Sequence, residues 1–342
     1  MNLTPREIVL RTLAFDHPPR APRQLWVLPW AELHHPGAFD RIQAEFPPDI
    51  VYADGHQREP RQVQGSPYER GVYIDEWGCR FTNIQPGVHG EVCDPLIRDW
   101  DDAGAIRFPR EMLTIDPEAV NRDCEASDRF QLVPYCPRPF ERLQFLRGSQ
   151  ALYLDLMMRP PAMLAFLRKL HGFYCEFLEL WCSRTQVDAI MFMDDWGSQR
   201  NLLIAPELWC ELFKPLYRDY IEIAHAHGKK AFMHSDGYIV AIYPHLIELG
   251  LDALNSQIFC MGVENLRPFA GKITFWGEID RQQLLPHGSL EQIDAAVESV
   301  YHTLWRGGGC IAQCEFGPGG KPENVRRVFE AWDRLTSPAM TK

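Results

Sequence analysis

No run of eighteen apolar residues occurs in this 342-residue chain, which excludes a membrane-spanning helix of ordinary length. The opening Met1-Asn-Leu-Thr-Pro-Arg6 has no apolar signal-peptide core, and a cytoplasmic location is expected. Positive charge is in deficit. Thirty-five Lys and Arg against 46 Asp and Glu leave a net charge of −11, which argues against a nucleic-acid or membrane-surface partner. No Gly-x-Gly-x-x-Gly turn follows a strand-like run, so the signature of a dinucleotide-binding sheet is missing. The ten cysteines lack the even spacing of a disulfide scaffold, and in a chain of this length most are expected to be reduced and buried. With 46% hydrophobic and 24% charged residues, what remains is the composition of a soluble enzyme with a sizeable core.

The first helix is signposted by Thr4 as cap, Pro5 in the first turn and Glu7 completing a capping box before Ile8, Val9, Leu10 and Leu13. Pro18, Pro19 and Pro22 end it, so residues 1–23 read as an N-terminal helix and linker. Gln24-Leu-Trp-Val-Leu28 reads as a first strand, and the stretch from about 49 to 109 as an irregular insertion with short strands at 71–74 and 79–82. From Leu113 onward the pattern is regular. Strands are expected at 129–133, 189–193, 230–234, 253–255, 273–276 and 309–314, separated by helices at 161–182, 206–227, 238–249, 263–269 and 289–306 and followed by one at 322–335. Strand-then-helix units in succession require parallel strands with crossover helices, and near-continuous apolar strands are those of a sheet buried on both faces. The expectation is one domain over 1–342, an α/β (β/α)8 TIM barrel over 24–336 with the N-terminal extension before it.

In such a barrel, catalytic residues lie at the C-terminal ends of the strands. Those ends carry Asp194 and Asp195, His234 and Asp236, Asn255 and Gln257, Glu278 and Asp280, and Cys314 and Glu315. One lone histidine or apolar-flanked cysteine is most often structural. Five polar strand ends in succession read as an active site. Asp194 and Glu278 are the catalytic candidates. Asp195, Gln257, Glu315 and the earlier Asp54 are candidates for substrate binding, and His234, Asp236 and Cys314 for a metal site.

Geometry sorts the two cysteines of the last strand: at roughly 3.3 Å per residue, Cys310 and Cys314 stand about 13 Å apart and cannot share one ion. Cys310 begins the strand and reads as core, whereas Cys314 ends it and reaches the rim. His234 and Asp236, two apart, point the same way if the strand continues. A His/Asp/Cys set with one open position suits a catalytic zinc, with Glu278 as fourth ligand or as base beside it. Pro137-Arg-Pro-Phe-Glu-Arg142 fits either a substrate-facing arginine or a solvated loop.

These residues carry a resemblance. Arg6-Glu-Ile-Val-Leu-Arg-Thr-Leu13, Asp75-Glu-Trp-Gly-Cys79, Pro137-Arg-Pro-Phe140, Phe192-Met-Asp-Asp-Trp-Gly-Ser-Gln199, Phe232-Met-His-Ser-Asp-Gly237, Trp276-Gly-Glu-Ile-Asp280 and Gly307-Gly-Gly-Cys-Ile-Ala-Gln-Cys-Glu-Phe-Gly317 occur in order along nearly the whole chain. Together they resemble the uroporphyrinogen decarboxylase superfamily, which includes cobamide-dependent methyltransferases and whose members are (β/α)8 barrels. The arginine-bearing loop that porphyrinogen decarboxylases carry after the first strand reads Leu28-Pro-Trp-Ala-Glu32 here, and Phe316 stands near the end of the last strand where they have a histidine. A substrate with eight carboxylates needs cations, and this chain lacks them at that loop.

The methyltransferase branch is the nearer likeness. His234 matches the histidine of its zinc site and Cys314 approaches the cysteine on its last strand, while Asp236 replaces the middle cysteine. The resemblance thus implies a zinc-dependent methyltransferase that moves a methyl group between a small molecule and a corrinoid. No corrinoid-binding Asp-x-His-x-x-Gly occurs, so the corrinoid would arrive on a partner protein. The alternatives are a metal-free lyase or decarboxylase using Asp54, Asp194 and His234, and a non-catalytic small-molecule-binding barrel.

Overall fold

Prolines set where many of the helices begin. Pro5, Pro139, Pro161, Pro206 and Pro322 each sit in a first turn, where the missing N–H has no intrahelical acceptor to lose. Between the helices run eight strands, seen in a computed structural model that describes residues 3–337. They are β1 (Arg23–Val27), β2 (Ile50–Tyr52), β3 (Phe130–Leu132), β4 (Ala189–Met193), β5 (Lys230–Ser235), β6 (Ala253–Ser256), β7 (Thr274–Trp276) and β8 (Cys310–Phe316). All pair in parallel, in the spatial order β1-β8-β7-β6-β5-β4-β3-β2. This is a nearly closed (β/α)8 barrel, as expected. Residues 1, 2 and 338–342 of the single-domain reading lie outside the described residues.

Alternation along each strand sorts the side chains into two layers. Ile50, Phe130, Leu132, Ala189, Met191, Phe232, Ala253, Trp276 and Ile311 form the inner cluster, and Val9 and Leu13 of the helix Pro5–Leu13 join it, which plugs the lower end of the barrel. Ile190, Phe192, Met233, Leu254, Phe275, Cys310, Ala312 and Cys314 belong instead to the larger layer shared with the surrounding helices. At the seam, β1 and β2 meet through Asp49 N–H donating to Arg23 O at 2.8 Å and the Gln24 amide donating to Ile50 O at 3.5 Å. A cavity of about 450 Å³ lies along the rest of that seam.

The stretch expected to be irregular holds β2 at its start and then a three-stranded antiparallel sheet over Gly71–Ile74, Arg80–Asn83 and Glu91–Val92. Asp75 fastens this insertion. Its Oδ1 accepts from the amides of Trp77 and Cys79 at 3.0 and 2.7 Å, and its Oδ2 takes the buried Arg142 at 2.5 Å. The acids of Asp75-Glu-Trp-Gly-Cys79 therefore serve a turn and an anchor. Two boundaries differ from expectation. The helix expected over 206–227 breaks at Phe213 into Pro206–Leu212 and Lys214–Ala226, where Pro215 lacks a backbone donor. Strand β8 runs to Phe316, two residues beyond the expected 314, which changes the site.

Candidate active site

One step above the inner cluster, the same alternation turns polar groups toward the axis. From Phe232 the inward parity leads to His234 and Asp236, from Ala253 to Asn255, from Trp276 to Glu278, and from Ile311 to Gln313 and Glu315. Asp195 joins them because the loops after β4 and β5 run against each other. Gly197 N–H donates to Asp236 O at 3.0 Å and Tyr238 N–H to Ser198 O at 2.7 Å. A Cβ on Gly197 would meet Tyr238 N at 2.3 Å, and one on Gly237 would meet Gly197 O at 2.1 Å, so only glycines permit this approach. The Asp236 amide then donates to Asp195 Oδ1 at 3.0 Å, and the Gly237 amide to Gln257 Oε1 at 3.1 Å. Gln257 thereby braces the loop that carries Asp236.

His234 is at the centre. Its Nε2 lies 3.5 Å from Asp195 Oδ1 and 3.6 Å from Asp236 Oδ1, and its Nδ1 lies 2.6 Å from Asn255 Oδ1. The Asn255 amide nitrogen donates to Trp276 O and to Gln313 Oε1, so Asn255 Oδ1 is the acceptor and His234 Nδ1 the donor. A neutral His234 must then point its Nε2 lone pair at two carboxylate oxygens. Burial opposes the imidazolium, but the hydrogen bond to Asp195 and the charge of Asp236 outweigh it and carry His234 up to about 10. Burial likewise works against the Asp195 carboxylate, yet His234 holds it below its usual range. Trp26 covers the histidine, ring centroids 5.3 Å apart.

A second ring of charge adjoins the first. Arg281 bonds Asp236 Oδ2, lies 3.0 Å from Glu278 Oε2, and has Nε 3.7 Å from Glu315 Oε1. One guanidinium is shared by three carboxylates. Burial, and then Asp236 and Glu315 working against Arg281, push Glu278 up to about 8, and burial raises Glu315 as well. On the opposite side Arg138 lies 3.8 Å from Glu141, whose Oε2 is buried without a hydrogen-bond partner; burial, eased by Arg138 but added to by Asp195, brings Glu141 to about 7.

Three expected site residues, Cys314, Asp194 and Asp54, stand elsewhere. Cys314 is fully buried in the outer layer, opposite Leu25 in register, because β8 continues past it and parity turns Glu315 inward in its place. Burial, with Glu278 and Glu315 nearby, raises its thiol far above the usual range, so the thiolate that a zinc ligand requires is disfavoured. Asp194 also faces outward. Its carboxylate accepts from the amides of Phe140 and Glu141 at 3.1 and 2.7 Å and from the Tyr217 hydroxyl at 2.6 Å, which caps the helix Pro139–Arg147. Burial and Glu141 raise it well above the usual carboxylate range, and no face of it is open to a substrate. Asp54 is exposed on the rim and accepts from the His56 amide at 2.8 Å. Asp280 Oδ1 caps a turn through the amides of Gln282 and Gln283. Sequence reasoning missed Arg281, Trp26 and Glu141. For Arg281 there was a signal, an arginine directly after two strand-end acids. Trp26 shares the inward parity of Gln24, and Glu141 sits two residues after Pro139 in the first turn of its helix.

Among the described residues, Asp195, His234 and Asp236 offer one ligand atom each within 4.8 Å of one another. Three observations fit this trio to a divalent cation. Asp236 Oδ1 is buried and has no hydrogen-bond partner. The tautomer fixed by Asn255 leaves Nε2 as a donor atom, which is how ligating histidines are oriented. The arrangement also needs a proton or a cation between Nε2 and the two carboxylates. One nitrogen and two carboxylate oxygens suit a hard to borderline ion, zinc included. A thiolate-containing set with Cys314 does not fit.

No protein-family model and no curated protein matches the sequence. Among solved structures, a methyltransferase from Methanosarcina mazei is similar over 97% of this chain and 99% of its own, with a TM-score of 0.65 and 16% sequence identity. A glycosylated endo-β-1,4-xylanase from Gloeophyllum trabeum covers 96% and 98% with a TM-score of 0.46 at 10% identity, and a B12-independent methionine synthase from Shewanella sp. W3-18-1 covers 93% and 93% with a TM-score of 0.43 at 13% identity. The chain shares its (β/α)8 barrel fold with the Methanosarcina mazei protein, and this is the fold that the resemblance to the uroporphyrinogen decarboxylase superfamily implied. No helix among the described residues is long and apolar enough to cross a membrane.

Proposed function

We propose that this chain is a metal-dependent methyltransferase, with zinc held by Asp195, His234 and Asp236, that moves a methyl group between a small molecule and a corrinoid carried by a partner protein. The observation that carries the reading is His234 itself, whose tautomer is set by Asn255 so that Nε2 faces two carboxylates, one of them with an unpartnered buried oxygen. When bound there, the metal supplies a Lewis acid for the substrate heteroatom that gives up or receives the methyl group.

The chain's own groups do the rest. Asn255 holds the imidazole, itself held by Trp276 O and Gln313. Trp26 keeps water from one face of His234. Methyl transfer changes the proton count at the heteroatom: it takes up a proton on losing the methyl group and sheds one on gaining it. Glu278, 2% exposed and held near 8 by burial and its carboxylate neighbours, is the group that keeps or accepts that proton at neutral pH. Glu315 and Arg281 set its charge balance. Asp195 and Asp236 are ligands in this reading, Gln257 positions Asp236, and Asp194 supports the helix that carries Glu141.

The test is elemental analysis of the protein purified without added metal, followed by titration with zinc. One ion per chain, lost in His234→Ala, supports the reading, and a folded protein that takes up no divalent ion at micromolar concentration ends it. A lyase reading built on Asp194 is disfavoured, because that carboxylate is spent on Phe140, Glu141 and Tyr217.

A further inference from the structure

Beside the His234 cluster is a cavity of about 220 Å³ between the loop after β6 and the loop after β7, lined by Gln257, Phe259, Glu278, Asp280, Arg281 and Gln283 among others. It is several times the roughly 30 Å³ a water molecule occupies and falls short of the ~300–1,000 Å³ of drug-sized ligand pockets. A small molecule fits it, and a macrocycle does not.

The charges around this cavity do not balance. Glu278 is 2% exposed; its Oε2 meets Arg281, and its Oε1 has no hydrogen-bond partner among the described residues. Asp280, half-buried, spends Oδ1 on two backbone amides, and its Oδ2 has no partner among the described residues. Arg281 is the cation on the wall, and it is already divided among Asp236, Glu278 and Glu315. Three carboxylates thus share one guanidinium, and Asp280 adds a fourth acid with no cation paired to it among the described residues. An acid buried without counter-charge gives up its ionisation and a positive guest restores that counter-charge, so such a wall favours a cation and repels an anion. Phe259 adds an aromatic ring, whose face attracts cations. The chain's net charge of −11 draws cations toward the mouth as well.

We propose that this cavity binds a small organic cation, a methylated ammonium group that places an N–H or N-methyl edge against Glu278 Oε1 and Asp280 Oδ2. The proposal rests on the methyltransferase reading for what happens to the methyl group, and on the cavity alone for what binds.

Titration calorimetry on the purified protein tests it with three probes of similar size: trimethylammonium chloride, neutral tert-butanol and the anion methanesulfonate. The expected result is that trimethylammonium binds at least tenfold more tightly than either competitor, weakens with added sodium chloride, and loses at least tenfold in Glu278→Gln and in Asp280→Asn. Circular dichroism checks that each variant folds; should Glu278→Gln fail, Asp280→Asn on the half-buried rim carries the comparison, and the selectivity of the unaltered protein stands by itself. Equal binding of tert-butanol, preference for methanesulfonate, or no binding of trimethylammonium at millimolar concentration overturns the proposal. Zinc uptake measured on the same samples separates the two readings. Zinc without cation selectivity overturns this inference alone, and cation selectivity without zinc overturns the proposed function alone.

Discussion

Strands β5 and β8 look alike in the sequence, yet they deliver opposite results. Each is an apolar run that carries a soft or basic ligand near its end, His234 in one and Cys314 in the other. In the folded chain His234 points down the barrel axis and meets Asp195, Asp236 and Asn255. Cys314 points into the layer under the helices, and Glu315 takes the inward position. A strand has a side-chain period of two, so Cys314 and Glu315 face opposite ways, and parity decides which of them points inward. The comparison teaches that a strand-end ligand must be judged by its parity with the inner cluster, here Phe232 for β5 and Ile311 for β8.

The comparison can be broken most decisively at the histidine. His234→Ala is expected to lower zinc affinity on the order of 1,000-fold or more, about 4 kcal/mol, read by competition with a chromophoric chelator. Retention of full affinity would mean that β5 does not supply the ligand. Proton competition gives the next effect. His234 is carried to about 10 in the metal-free protein, and the ion requires it neutral. Metal binding therefore releases a proton, and the apparent affinity is expected to rise roughly tenfold per pH unit between neutrality and about 9.5, levelling above 10. A flat profile would show that the imidazole is no ligand.

Asn255→Leu removes the group that holds the tautomer, and a loss of roughly 10–100-fold in metal affinity is expected with the ligands intact. The smallest effect belongs to β8. Cys314→Ser should leave metal content unchanged and cost about 1–3 kcal/mol in urea unfolding, because a hydroxyl replaces a buried thiol without an assured partner. Cys310→Ser should behave the same way, as both share the outward face. Loss of metal in Cys314→Ser alone would restore the thiol to the site and reverse the parity of β8.

Much of this fold was legible in the chain. Strand β4 begins and ends where its apolar run does, at Ala189 and Met193, and the helix Pro161–Arg184 follows the span its amphipathic pattern implied. Strand β2 was hidden because Ile50–Tyr52 is too short to show a period and follows two prolines. At the site, His234, Asp236, Asn255 and Glu278 could be read as strand-end residues, since barrel strands end where polar residues interrupt apolar ones. Arg281 showed only as an arginine directly after two strand-end acids; its importance lies in three carboxylates that come from β5, β7 and β8 or their loops.

What the sequence by itself determined is the succession of strands and helices and hence a barrel whose polar strand ends share one rim, because apolar periodicity, helix-starting prolines and the rule of parallel crossovers are properties of the chain. Which strand-end groups meet was decided only by tertiary structure. Asp195 reached His234 through the close crossing of Gly197 and Gly237, Asp194 was turned away into a helix cap, and Cys314 was buried outward by a strand two residues longer than its apolar run. Those outcomes depend on pairing and packing across elements far apart in the chain, and local residue patterns carry no information about them.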